Sequence, residues 1–160
     1  MLRLIAINIS YEIPIILILL MAGLLVQSFD LNDFVYYQKY TTILLIPLFP
    51  VSFIFFFCIL AETNRLPFDL AEAESELVAG YNLEYSAIIF SFFFLGEYSN
   101  ILLNAVIFVL IFLGGWDIFF NNFIISQIFF SIKVILICLI IIIVRTIVPR
   151  YRYDQVMDIC

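Results

Sequence analysis

The chain has 160 residues, of which 66% are hydrophobic and only 12% charged, with a net charge of −6 and no histidine. Water-soluble domains are roughly half apolar and one quarter charged, so this composition excludes an ordinary soluble fold. It leaves a protein of the bilayer, whose partners are membrane lipid and protein and not nucleic acid.

The apolar runs are long and continuous, and only a helix or a closed barrel satisfies every backbone group in lipid. Runs of about 20 residues favour helices over the short alternating strands of a barrel. The pattern predicts an all-α, polytopic transmembrane protein with about four spans in one domain over residues 1–160. The first span is expected over 5–26 and is followed by a polar stretch, 27–42. The second is expected over 43–61, with Pro47 and Pro50 near its start, where proline disturbs a helix least. A loop over 62–85 then holds six of the thirteen acids. The third and fourth spans are expected over 86–113 and 124–148, joined through Gly114, Gly115, Trp116 and Asp117.

Orientation follows from the basic residues, because short flanks rich in Lys and Arg stay on the cytoplasmic or matrix side. With four spans, Arg3, Arg65, Arg145, Arg150 and Arg152 share one side and Lys39 lies opposite. Both termini and the acidic loop are therefore expected to face inward. No cleavable signal or Arg-rich transit pattern precedes the first apolar run. Heavy use of Phe, Ile, Leu, Tyr and Asn suggests an organelle-encoded chain made beside its own membrane.

Cys58 and Cys138 fall inside apolar runs and Cys160 ends the chain, with no CxxC pair. No ligand set for zinc, haem or an iron–sulfur cluster is expected, nor is there a glycine-rich nucleotide loop.

Three ionisable residues fall within expected spans: Glu12, Glu97 and Lys133. Each costs about 2.5–3.5 kcal/mol at a helix centre on insertion scales, which marks it as functional by default. Glu97 shares one helix face with Asn100 and Asn104, and Asn8 with Glu12. Interhelical pairing, among themselves or with Lys133, is the competing structural explanation.

In the loop, Asp69 and Glu72 have the spacing of a helix N-cap and Gly80 is a natural stop, so a short helix over 70–79 is expected. Capping does not explain Glu76, which stacks on Glu72 at a spacing where like charges repel. Crowded carboxylates of this kind titrate as a coupled set, as a proton relay requires. A calcium loop lacks its ligand spacing and central glycine here, and a solvated acidic face is the plainer alternative.

The run Glu-Thr-Asn-Arg-x-Pro-Phe-Asp-Leu-x-Glu-x-Glu-Ser-Glu-Leu-Val-x-Gly, from Glu62 to Gly80, resembles the signature of the subunit 1 family of NADH:ubiquinone oxidoreductase, respiratory complex I. The likeness continues through Tyr81–Tyr85 and Gly96–Asn100. It also takes in Ile9, Ser10, Tyr11 and Glu12 upstream, and Lys133, Arg145 and Pro149–Gln155 downstream. It covers nearly all of this chain but about the second half of the family. Ala73 stands where the family usually has glycine, and Gly96 where it usually has alanine.

The resemblance implies a membrane-arm subunit that helps form a quinone cavity and couples quinone reduction to proton translocation. By the same likeness, the coupling chain consists of Glu12, Glu62, Glu72, Glu74, Glu76, Glu84 and Glu97, with Lys133. The cavity lining consists of Arg65, Phe68, Phe90, Phe94, Leu95 and Arg145. Ubiquinone is then the substrate, while NADH, flavin and iron–sulfur clusters reside in partner subunits, and no metal is held by this chain. Expected partners are hydrophilic quinone-module subunits at the acidic loop and a second membrane polypeptide supplying the family's first helices. The implied location is the mitochondrial inner membrane, with both termini on the matrix side. Competing functions are the homologous subunit of a membrane-bound hydrogenase, a stand-alone proton or ion transporter, and a structural assembly subunit.

Overall fold

The computed structural model describes residues 2–63, 87–116 and 123–148, with side chains at all of these except 2–8, 87, 123 and 145. Five helices form within them: α1 (Leu2–Val26), α2 (Leu31–Tyr40), α3 (Phe49–Glu62), α4 (Ala87–Phe112) and α5 (Phe123–Ile147). The short helix expected over 70–79 lies outside the described residues.

Three of the helices carry stretches long and apolar enough to cross a membrane: Ile9–Val26, Ile88–Phe112 and Ile124–Val144. Their large apolar side chains point outward all along the helix, as Leu17, Leu24, Ile135 and Ile142 do. In water such a surface would be costly, whereas in lipid it is the required one. The protein is thus a polytopic helical membrane protein.

The second apolar run differs from expectation in where it becomes helical. α3 begins at Phe49, with Pro50 in its first turn, where the missing proline N–H costs nothing. The residues ahead of it, 44–48, are turns. At about 1.5 Å per residue α3 is only about 21 Å long, less than a full hydrocarbon thickness.

α2 stands in the polar stretch after the first span, where no helix is expected from hydropathy. Asp30 starts it, accepting from the Asn32 backbone N–H at 3.3 Å, and the Thr41 hydroxyl and N–H close it on the Tyr37 carbonyl. Its buried face is Phe34, Val35 and Gln38, spaced for one side of a helix.

α1 packs along α3, α4 along α5, and α2 against the end of α4. α3 and α4 run antiparallel: the partners of Leu45, Phe55 and Glu62 on α4 move back from Phe112 through Phe108 to Asn104. Phe55, Phe108 and Phe112 stack between these two helices, with ring centroids 5.2–6.2 Å apart. α4 continues past the end of α3, so that its first half, from Ala87 to about Asn100, extends beyond Glu62.

α4 ends in a turn through Gly114 and Gly115, both at positive φ (73° and 54°). A Cβ on Gly115 would stand 2.7 Å from Val35 Cγ2, so α2 approaches this turn as closely as a glycine allows. Gly115→Ala should therefore cost about 1–3 kcal/mol through backbone strain, plus the clash. The check is the thermal midpoint of the assembled protein in detergent: Gly115→Ala should lower it, and Val35→Ala in the same chain should recover part of the loss. A wild-type midpoint in Gly115→Ala would contradict the packing described.

Candidate functional site

The inward face of α4 repeats Phe90, Phe94, Glu97, Ile101, Asn104 and Phe108, at the spacing of one side of a helix. The first two rings meet edge to face at 4.8 Å. Below them the face turns polar at Glu97 and Asn104, then apolar again where Phe108 joins the aromatic stack. Leu95, expected with Phe90 and Phe94, points outward and is 68% exposed.

Asn104 is buried, and its carboxamide Nδ2 donates to Glu62 Oε2 and to Asn100 Oδ1, both at 3.4 Å. These are long contacts, weaker than a bond at about 2.9 Å, yet they link α3 to α4 through a carboxylate. Glu62 is the last residue of α3, and buried Thr63 closes the helix behind it, its Oγ1 donating to the Leu60 carbonyl at 3.1 Å. A carboxylate at a helix C-terminus opposes the helix dipole, so stability alone does not account for an acid here.

Glu12 on α1 comes to the same place. Glu12 and Glu62, with Tyr11, Ile15 and Ile16, line an open pocket of about 320 Å³. The two carboxyl groups are near enough for the charge on one to act on the other. Pro14, within the next turn of α1, withdraws a backbone N–H from the helix ladder beside Glu12. Two coupled carboxyls in one pocket share protons more readily than they hold two full charges. Chemically, the arrangement can accept, hold and pass a proton.

Glu97 lies half-buried on the same α4 face, two turns or about 10 Å along from Asn104. Lys133 is elsewhere: its Nζ donates to the carbonyls of Leu113 and Gly115, both at 3.0 Å, at the far end of α4. The structure therefore brings together Glu12, Glu62, Asn100 and Asn104, sets Glu97 on the same stripe and separates Lys133 from them. Arg65, Phe68, Glu72, Glu74, Glu76 and Glu84 lie outside the described residues. Arg145 lies in α5, its side chain outside those described.

Two participants are not among the expected site residues. Spacing puts Asn104 on the Glu97 stripe, but only tertiary structure shows that it reaches Glu62. Gln38 is an amide on the apolar side of α2, 2% exposed, donating to the Leu110 and Ile111 carbonyls at 3.2 and 2.9 Å. A polar residue one turn after Phe34 in an otherwise apolar stripe is its only signal. Among the described residues no group of three or more Cys, Asp or Glu stands ready to hold a metal ion.

Residues 1–160 match the protein family described as NADH dehydrogenase. The chain is 51% identical to the wheat (Triticum aestivum) NADH-ubiquinone oxidoreductase chain 1 over 94% of its own length and 47% of the relative's. It is 50% identical to the Arabidopsis thaliana protein of the same name, again over 94% of this chain and 47% of the relative. A bacterial relative, the matching membrane polypeptide of NADH-quinone oxidoreductase from Pelagibacter ubique, is 46% identical over 93% of this chain and 46% of its own length. The chain thus spans about half the length of the curated relatives it matches, and it belongs to the NADH dehydrogenase family that includes NADH-ubiquinone oxidoreductase chain 1 and its bacterial NADH-quinone oxidoreductase counterparts.

Proposed function

We propose that this chain is part of the quinone-handling membrane subunit of a proton-pumping NADH:quinone oxidoreductase, and that its carboxylates carry the protons. The observation that supports this most directly is the meeting of Glu12, Glu62 and Asn104, three polar side chains from three helices, at a depth where polar groups are costly.

Reduction of a quinone takes two electrons and two protons. The electrons come from partner subunits carrying flavin and iron–sulfur clusters; this chain contributes the place and the proton path. Phe90 and Phe94 form an aromatic turn of α4 directly above Glu97, a suitable wall for an apolar quinone tail. Arg65, Phe68, Leu95 and Arg145 complete the proposed lining. Protons pass along Glu97, Glu62 and Glu12, with Glu72, Glu74, Glu76 and Glu84 of the acidic loop as the remaining stations. Asn104 holds the Glu62 carboxyl in line without itself ionising.

The pocket shared by Glu12 and Glu62 opens outward, and both residues are exposed on this chain. Two acids cannot stand against lipid at low cost, so protein or water covers them. The cover is supplied by the family's first-half helices, on a second membrane polypeptide. The location is the mitochondrial inner membrane, with the acidic loop and both termini on the matrix side, as the arginine distribution requires.

An alternative is that Glu62 only ties α3 to α4, as its bond to Asn104 allows. Glu62→Gln separates the two, because an amide keeps an acceptor oxygen for Asn104 but cannot ionise. With a relay, the complex assembles and still passes electrons to artificial acceptors, while quinone-linked turnover falls about tenfold or more. With a tie alone, turnover stays near wild type. Glu97→Gln should behave like Glu62→Gln.

The topology has its own test in Ser75→Cys, which should react with membrane-impermeant thiol reagents from the matrix side only. Labelling from the opposite side would overturn the orientation. For the partner, Ile16→Cys at the mouth of the Glu12–Glu62 pocket should crosslink to a second membrane polypeptide in the native complex, and crosslinking to lipid alone would count against the split subunit.

A further inference from the structure

The last turn of a helix leaves four carbonyls without partners, and in lipid no water is present to satisfy them. At the end of α4 every one is met. The Val109 carbonyl accepts from the Leu113 and Gly115 N–H groups, both at 3.1 Å. The Leu110 and Ile111 carbonyls accept from Gln38 Nε2, and the Phe112 carbonyl accepts from the Leu45 N–H at 3.1 Å. The Lys133 ammonium then takes the next exposed carbonyls, those of Leu113 and Gly115. Gln38 completes its own bonding by accepting from the Leu44 N–H at 3.3 Å.

The donors come from both sides of α4. Gln38 belongs to α2 and Lys133 to α5, so two elements far apart in sequence grip the same helix end. A cation at the negative end of a helix dipole adds attraction to the two hydrogen bonds. The gripped end lies about nine residues from Asn104, about 14 Å along the axis. Sliding or turning α4 by one residue would swing Asn104 about 100° away from Glu62, and would break the Lys133 and Gln38 contacts at the same moment.

We infer that Lys133 and Gln38 are positioning residues: together they cap α4 and set the depth and rotation that keep Asn104 facing Glu62. Lys133 then acts as a fixed cation and does not pass protons. The inference rests on the proposed quinone-linked activity for its turnover readout, and its test can fail independently of the carboxylate relay.

Lys133→Arg is the decisive variant. Arginine keeps a charge and several N–H donors but does not lose its proton in proteins, so it can serve as a cap and cannot serve as a relay. In the assembled complex, Lys133→Met should lose most quinone-linked turnover, and Lys133→Arg should restore roughly half or more of it. Should the larger guanidinium prevent assembly, Lys133→Gln decides instead, because its amide has two donors and no ionisable proton; it should retain clearly more turnover than Lys133→Met. Gln38→Leu, which changes no ionisable group, should reproduce the Lys133→Met defect.

A spectroscopic readout separates positioning from general loosening. Lys133→Met and Gln38→Leu should alter the infrared carboxyl band assigned to Glu62 in the same way as Asn104→Leu does. The inference is overturned if assembled Lys133→Arg and Lys133→Gln are as inactive as Lys133→Met, or if the Glu62 band is untouched in Lys133→Met and Gln38→Leu. Glu62→Gln, run in parallel, shows whether the relay fails independently of the cap.

Discussion

One contact between α3 and α4 organises the polar part of this molecule: the Asn104 carboxamide held between Glu62 and Asn100. It joins an acid at the end of a short helix to the middle of a long one. Because α3 is only 14 residues long, Glu62 meets α4 well inside the span and not at its edge. A full-length second span would have carried the acid out to the interface, where water would serve it as well as Asn104 does. The shortness of α3 is thus what places a carboxyl group within the bundle.

The aromatic stack of Phe55, Phe108 and Phe112 fixes α3 against α4 on one side of this contact, and the capped end of α4 lies just beyond. Apolar packing alone discriminates weakly among axial shifts in lipid, since lipid tails are as apolar as the side chains. Hydrogen bonds of defined geometry discriminate strongly. Gln38, Leu45 and Lys133 therefore supply the specificity that Phe and Ile cannot, and they do so at backbone carbonyls, whose positions define the helix itself.

How much of this is legible in the sequence depends on which physical rule governs each part. The long helices follow from hydropathy, because in lipid a helix needs only length and apolarity. Glu12, Glu97 and Lys133 stand out because a charge in an apolar run is rare enough to notice. α2 escapes a reading by hydropathy because its signal is a two-turn amphipathic stripe in a segment whose overall polarity suggests a loop. The start of α3 falls at Phe49 and not at Ile43, because turns at 44–48 are as apolar as the helix that follows. The convergence of Asn104 on Glu62, 42 residues apart, and of Gln38 on Ile111, 73 apart, depends on how helices pack and leaves no trace in local pattern. The family signature adds the acidic loop and the quinone lining as expectations that no periodicity could supply.

The proton-carrying role depends on Glu62 changing its protonation when the quinone is reduced. Redox-induced infrared difference spectroscopy on the assembled complex in its membrane reads that event directly. A carboxyl band should rise or fall on quinone reduction, vanish in Glu62→Gln and change shape in Asn104→Leu. A spectrum in which the carboxyl region is the same in wild type and Glu62→Gln would contradict the proton-carrying role assigned to this cluster.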